Sequence, residues 1–170
     1  MDDRTGNRLW GRSARGCRAE GVSFFKRGNR YSALGIFSVH GMLDCHIIPG
    51  GYSARKFLAA FRMRVLPWLN PYPMPRSVLV MDNCPNVHDQ REIVTMCQDV
   101  GAIVHFLEPY DPHHMPIELA FRAAKQFMRH RKDELAHLPT RRERFRAALM
   151  SQGPSVGFSC FSECGYDMNY

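Results

Sequence analysis

The sequence has no long uninterrupted apolar run, and its first residues do not combine a basic start with an apolar core. A helix that crosses a bilayer needs about 18 consecutive apolar residues. A secretory leader needs a charged start followed by an apolar stretch. Both absences argue against a membrane or secreted protein, and we expect a soluble intracellular protein.

The sequence also lacks a paired cysteine framework. Its six cysteines are scattered along the chain, which is typical of thiols kept reduced in a cytosol or nucleus. Only Cys160 and Cys164 lie close together, and His113, His114 and His130 could supplement them as zinc ligands. A C-x₃-C pair without a matching second pair is a weak zinc signal, so free thiols are the favoured interpretation.

Acidic residues are scarce relative to basic ones. The chain has 16 Asp and Glu against 23 Lys and Arg, a net charge of +7. This excess favours a polyanionic partner such as nucleic acid, although mild basicity also occurs in ordinary proteins. At 170 residues and 45% apolar composition, the chain can form one domain with a buried core.

The first half of the chain predicts a hairpin followed by a helix. Two β-prone runs, 31–39 and 42–48, are separated by His40-Gly41, which is typical of a hairpin turn. Ser53 is suited to cap a helix that continues to about Leu69, since apolar residues recur at helical spacing. Pro67 is expected to bend or end it.

The second half alternates strands and helices. The run at 77–82 is apolar at consecutive positions, which predicts a central strand covered on both faces. The other predicted elements are a helix at 89–100 stopped by Gly101, a strand at 102–107, a helix from Pro116 to about Lys132 and a helix at 140–150 with a capping signature. This order predicts a mixed sheet with helices on its faces. We divide the chain into a basic Arg/Gly-rich lead-in (1–30), a core (31–152) and a C-terminal tail (153–170).

Two carboxylates occupy positions that suit a metal site. Asp82 follows the predicted strand, and Glu118 lies in the first turn of the helix that begins at Pro116. Hard divalent cations prefer oxygen ligands, and Mg²⁺-dependent phosphoryl transfer is chemistry that such a pair can serve. Each residue also has an ordinary alternative: Asp-Asn pairs form turns, and a first-turn Glu complements the helix dipole.

The residues around these acids resemble the catalytic domain of mariner-type DDE transposases, also called DDE superfamily endonucleases. The resemblance rests on the order of several motifs between about residues 4 and 166. They are Arg30-Tyr31-Ser32-Ala33-Leu34, Asp44-Cys45-His46-Ile47, Phe57, Leu66-Pro67, Leu69-Asn70-Pro71-Tyr72-Pro73, Ser77-Val78-Leu79-Val80-Met81-Asp82-Asn83, Val87-His88 and 109–118.

The resemblance implies an RNase H-like (integrase-like) fold in which acids on the first strand, the fourth strand and the following helix meet at one sheet edge. It implies that Asp82 is the second and Glu118 the third acid of the triad, both as catalytic metal ligands for Mg²⁺ or Mn²⁺. The implied reaction is cleavage and transfer of DNA strands, which would place a eukaryotic protein in the nucleus.

The sequence departs from the family pattern in two places. The chain begins at Met1-Asp2-Asp3 without the preceding apolar strand that carries the first acid, and it lacks the helix-turn-helix region found upstream. We therefore expect a truncated catalytic domain without the first strand. Near Glu118, Asp111, His113, His114 and Met115 replace residues usual in the family.

The helix after Pro116 carries a basic face. Arg122, Lys125, Arg129 and Lys132 follow Glu118 at helical spacing, and we predict that they contact DNA phosphates without reading sequence. A solvated charged face is the ordinary alternative. Two functions therefore remain open: a metal-dependent DNA endonuclease, or a non-catalytic DNA-binding or interaction module derived from a transposase.

Overall fold

The computed structural model describes residues 12–18, 30–83, 90–108 and 114–167, and every structural statement below concerns these residues. Their strands are β1 (Tyr31–Ser38), β2 (Gly41–Pro49), β3 (Val78–Met81) and β4 (Ile103–Phe106). Their α-helices are α1 (Ala54–Ala60), α2 (Gln90–Asp99), α3 (Pro116–His130), α4 (Arg141–Met150) and α5 (Pro154–Glu163). The result is a mixed α/β fold, as the alternating pattern predicts.

The predicted hairpin is confirmed. β1 and β2 pair antiparallel from Tyr31 opposite Pro49 to Ser38 opposite Gly41, with a register shift between Ile36 and Phe37. The reversal uses a positive φ of 100° at Gly41, which an L side chain rarely adopts.

The predicted helix after the hairpin is also confirmed, although it changes geometry along its length. The Ser53 hydroxyl accepts a hydrogen bond from the Lys56 N–H at 3.4 Å and caps α1. The chain then widens into a π-helical turn at Phe61–Val65 and tightens into a 3₁₀ turn at Leu66–Trp68, where Pro67 lies. The helical path ends there, as expected from a proline that cannot donate a backbone hydrogen bond.

β3 and β4 form a parallel pair connected through α2, which buries Ile93, Met96 and Cys97. The prediction that β3 is a central strand is wrong for the described residues. They form two separate two-stranded sheets, β1–β2 and β3–β4, instead of one mixed sheet. The side chain of Val78 is accordingly 49% exposed. A run of consecutive apolar residues indicates that both faces of a strand are buried, but it does not show that another strand pairs with each of its edges.

Two details of the C-terminal half differ from expectation. α3 ends at His130, with Arg131 as its C-cap, so Lys132 lies beyond the helix. The segment predicted as a tail contains α5, which packs on α3 and β2.

α4 has the predicted capping box between Thr140 and Glu143.

The core has two parts that meet at β1. One joins β2, α3 and α4, and the other joins α1, the π-helical turn, α2 and β4. Ala33 and Phe37 of β1 pack against the first, whereas Leu34 and Ile36 pack against the second. Since successive strand residues point to opposite faces, the two parts lie on opposite faces of the hairpin.

None of the helices in the described ranges combines the length and apolar character needed to span a membrane.

Candidate functional site

Asp82 lies one residue beyond the C-terminal end of β3 and is exposed. Its position follows from the parallel β3–β4 pair, whose last hydrogen bond runs from the Leu107 N–H to the Met81 carbonyl at 2.8 Å. The next residue, Asn83, accepts a hydrogen bond from the Gln90 side chain at 2.6 Å. The Met81 backbone before Asp82 is therefore held by β4, and the Asn83 side chain after it is tied to the start of α2.

Glu118 lies in the first turn of α3, and its N–H donates to the Met115 carbonyl at 3.0 Å. The buried Pro116 occupies the start of the helix, where its missing N–H costs no hydrogen bond. The side chain is exposed.

The fold brings both acids to one cavity. Asp82 and Glu118 line the same cavity of about 380 Å³, together with residues of β1, β3, α1, the π-helical turn and α5. Most of the lining is apolar, so the two exposed carboxylates form the acidic part of this cavity. That they act together as metal ligands stays a prediction.

The donor chemistry of this pair fits Mg²⁺ or Mn²⁺. Mg²⁺ is usually held by one or two carboxylates, with waters and substrate phosphates completing its shell. In the described ranges, no group of three or more His, Cys, Asp or Glu side chains could hold a metal ion. A metal ion held by Asp82 and Glu118 would need water or a phosphate substrate to complete its coordination.

Several residues named in the sequence analysis lie outside the described ranges. They are Met1, Asp2, Asp3, Val87, His88, Asp111 and His113. Close to the acids, the Tyr166 hydroxyl donates to the His114 carbonyl at 3.0 Å. This bond ties the chain just before α3 to the segment after α5.

The predicted basic face has three members within α3. Arg122 and Arg129 are exposed and Lys125 is half-buried, while Lys132 is exposed in the turn that follows the helix. The face leads away from Glu118 along the helix, so a polyanion bound along it would approach the acidic cavity.

A second group of basic residues was not predicted. Arg64 of the π-helical turn lies 3.4 Å from the Asp44 carboxylate, and Arg146 of α4 lies 3.8 Å from it. Arg146 also donates to the Cys45 carbonyl at 2.7 Å. These residues belong to three distant parts of the sequence, so no local pattern could have revealed the group.

The electrostatic effect of this group is visible at His46 of β2. Burial lowers the pKa of His46, and the charges of Arg64 and Arg142 lower it further. The Asp44 carboxylate acts in the opposite direction, but it is a single negative charge among several arginines. Arg64, Arg142 and Arg146 therefore place positive charge beside Asp44 and His46 of β2.

The five cysteines within the described ranges are free thiols. Cys45, Cys97, Cys160 and Cys164 are buried, and Cys17 is exposed. Burial raises the pKa of the Cys160 and Cys164 thiols, and the negative charge of Glu163 raises both further. This environment disfavours the thiolate that binds zinc, which agrees with the interpretation as free thiols.

The fold and the acidic cavity define a mixed α/β protein with paired carboxylates beside a basic helix face. A family model described as DDE superfamily endonuclease matches residues 1–137, and the chain belongs to this family. Members of the family usually use divalent metal ions and act on DNA. The comparison with curated proteins and the comparison with solved structures gave no match.

The matched range contains Asp82, Glu118 and all of the predicted basic face. It ends before α4, so it is shorter than the expected resemblance over residues 4–166. α4 and α5 lie outside the matched range, although they pack on elements within it.

Proposed function

We propose that this chain is the catalytic domain of a mariner-type DDE transposase with an RNase H-like core, and that it cleaves and joins DNA strands with Mg²⁺ or Mn²⁺. The observation that carries the proposal is the shared cavity of Asp82 and Glu118. The two acids come from different secondary-structure elements of a chain that belongs to a nuclease family, and both are exposed at one cavity. This arrangement suits coordination of a metal ion in contact with solvent and substrate.

A bound metal ion would activate the attacking hydroxyl or stabilise the leaving oxygen of an in-line displacement. Asp82 and Glu118 would hold the ion, and hydrogen bonds of Met81, Asn83 and Glu118 help to position them. Arg122, Lys125, Arg129 and Lys132 would bind the phosphates that lead to this point, without reading bases. Such a protein would act where DNA is present, in the nucleus of a eukaryotic cell.

A second candidate is a non-catalytic DNA-binding or interaction module of the same origin. One observation favours it: the described residues bring two carboxylates to the cavity, whereas the family pattern has three acids. A protein of this kind would bind DNA through the basic face of α3 without cleaving it. It predicts DNA binding that does not depend on the two carboxylates.

The decisive experiment is a nicking assay on supercoiled DNA with Mg²⁺ or Mn²⁺. We expect Asp82→Asn and Glu118→Gln each to lower the nicking rate at least about 100-fold, because each removes a charged metal ligand worth several kcal/mol in the transition state. A chelator should abolish nicking by the unaltered chain.

Matched controls are Asp99→Asn and Glu134→Gln, which neutralise exposed carboxylates on α2 and after α3. Both should nick DNA like the unaltered chain. Equal background nicking by all five proteins, combined with DNA binding, would overturn the nuclease proposal and support the non-catalytic module.

A further inference from the structure

β2 has one edge toward β1 and an outer edge that points away from it. The Gly50 N–H donates to the Arg30 carbonyl at 2.7 Å, and these two residues continue the register of the hairpin. Opposite residues of an antiparallel pair alternate between hydrogen-bonded and non-hydrogen-bonded pairs. Gly35 and Cys45, five steps along the ladder, are therefore a non-hydrogen-bonded pair, and the N–H and C=O of Cys45 point to the outer edge.

Charged side chains bind both outward groups of Cys45. The Cys45 N–H donates to the Asp44 carboxylate at 2.8 Å, and the Cys45 carbonyl accepts from the Arg146 guanidinium at 2.7 Å. The Asp44 carboxylate also lies 3.8 Å from Arg146 and 3.4 Å from Arg64. We call Asp44, Arg64 and Arg146 the edge clamp, because their mutual ion pairs hold two of them on the backbone of β2.

Two further positions on this edge offer no free N–H. The Met42 N–H donates to the Gln152 carbonyl at 3.0 Å, at the junction of α4 and α5. Pro49, the last residue of β2, has no N–H to donate. A strand that approached this edge would therefore meet bonded N–H groups at 42 and 45 and none at 49. All of these contacts are made between described residues.

The clamp makes strand pairing at this edge unfavourable. A strand edge with unpaired backbone groups is a template for pairing with another chain, and charged side chains and proline are common means of preventing it. An incoming strand would have to displace charge-assisted hydrogen bonds at Cys45, which are stronger than neutral ones. It would also leave the carboxylate of Asp44, whose side chain is only 13% exposed, without its backbone donor.

We propose that the edge clamp closes the outer edge of β2 against pairing with β2 of a second copy of this chain. A second copy is the partner that fits, because two antiparallel β2 strands would pair about Cys45 with two-fold symmetry, which makes the edge complementary to itself. Arg146 belongs to α4, which lies outside the range matched by the family model. The proposal concerns self-association and is independent of DNA cleavage.

The test compares self-association of the full chain and its variants by sedimentation velocity, without DNA and with a chelator present. Asp44→Ala with Arg146→Met, the opened variant, frees both outward groups of Cys45 and leaves the net charge unchanged. We expect it to self-associate at least about tenfold more tightly than the unaltered chain, because each copy can then form backbone hydrogen bonds that the clamp prevents.

Two single variants keep the test valid if the opened variant does not fold. Arg146→Met frees the Cys45 carbonyl alone and should also raise self-association, to a smaller extent. Arg146→Lys keeps a charged donor beside this carbonyl and should associate no more tightly than the unaltered chain. A cooperative thermal unfolding transition identifies the variants that are folded.

The matched control is Asp99→Ala with Arg142→Met. It removes one carboxylate and one guanidinium from exposed positions on α2 and α4, and Arg142 lies one turn before Arg146 on the same helix. This control should associate like the unaltered chain. Hydrogen exchange locates the contact, because the amides of Cys45 and Ile47 in the opened variant should exchange more slowly at high protein concentration than at low concentration.

Three results would overturn the proposal. They are unchanged self-association of the folded variants that free Cys45, equal association of the control, and association without concentration-dependent protection at 45 and 47. The last would place the contact on another surface. None of these results bears on nicking, so the nuclease proposal stands or falls separately with Asp82→Asn and Glu118→Gln.

Discussion

Gly41 links the hairpin to the C-terminal helices through a close backbone approach. A Cβ at this position would overlap the Gln152 carbonyl oxygen and the Gly153 backbone, and φ is +100°. The following N–H, from Met42, donates to the same Gln152 carbonyl at 3.0 Å. The junction between α4 and α5 is therefore docked on the hairpin turn.

Gly41→Ala should lower the free energy of unfolding by at least about 3 kcal/mol, because it combines an unfavourable φ with overlap against backbone atoms. Gly50 has φ +76° and open space around it, so Gly50→Ala should cost only about 1–2 kcal/mol. Gly51→Ala, in open space without a positive φ, should be nearly neutral. Urea unfolding checks all three, and equal losses for Gly41→Ala and Gly50→Ala would contradict the docking role of Gly41.

Local chemistry made some residue roles predictable. The Ser53 and Thr140 caps and the positive φ of Gly101, which ends a helix, all depend on interactions within a few residues of each position. The grouping of Asp44, Arg64 and Arg146 was not predictable, because these side chains meet only after β2, the π-helical turn and α4 have packed together.

α4 and α5 show how differently two helices can be encoded. α4 begins with a reciprocal cap, in which the Thr140 hydroxyl accepts from the Glu143 N–H at 3.2 Å and the Glu143 carboxylate accepts from the Thr140 N–H at 3.1 Å. α5 has Gly, Ser, Val and Phe in its interior, which are weak helix formers. A Cβ on Gly157 of α5 would overlap the Val39 carbonyl and the Gly41 backbone. Packing on the hairpin therefore stabilises α5, and propensity alone does not predict it.

Thr140→Ala should destabilise the protein by about 1 kcal/mol, because it leaves the first turn of α4 without its side-chain acceptor. Thr140→Ser keeps the hydroxyl and should stay within a few tenths of a kcal/mol of the unaltered chain. Thermal unfolding measures both. Identical melting temperatures for Thr140→Ala and Thr140→Ser would show that the cap does not contribute.

The distribution of charge over the whole molecule bears on DNA binding. Basic residues lie along α3, which packs in one part of the core, and others lie on α1, which packs in the part across the hairpin. The α3 face begins beside Glu118, which lines the cavity together with Asp82. The position of a basic residue relative to the two acids, and not the net charge of the protein alone, should therefore decide how much that residue contributes to DNA binding.

Arg122→Ala with Lys125→Ala should weaken DNA binding and reduce the slope of log affinity against log salt by about 2, because each neutralised phosphate contributes about 0.9. The matched control is Arg55→Ala with Lys56→Ala, which removes one arginine and one lysine from exposed positions on α1. Anisotropy titrations at several salt concentrations make the comparison. Equal slope changes in the two double variants would assign the effect to net charge and contradict the α3 interface.

Periodicity and capping chemistry were sufficient to predict the hairpin, the helix after Ser53, α2, α3 and α4, because these signals act between residues close in sequence. Motif order was sufficient to predict the family. The meeting of Asp82 and Glu118 at one cavity followed from that family pattern and from no local signal.

Tertiary structure alone decided the rest. The separation of the described strands into two sheets, the cavity lined by β1 and β3, the docking of α5 and the arginine group around Asp44 all depend on contacts between residues far apart in the chain. Such contacts are determined by side-chain packing and by backbone pairing across the whole fold. A sequence pattern predicts only features that recur at a fixed spacing along the chain, so it does not predict these contacts.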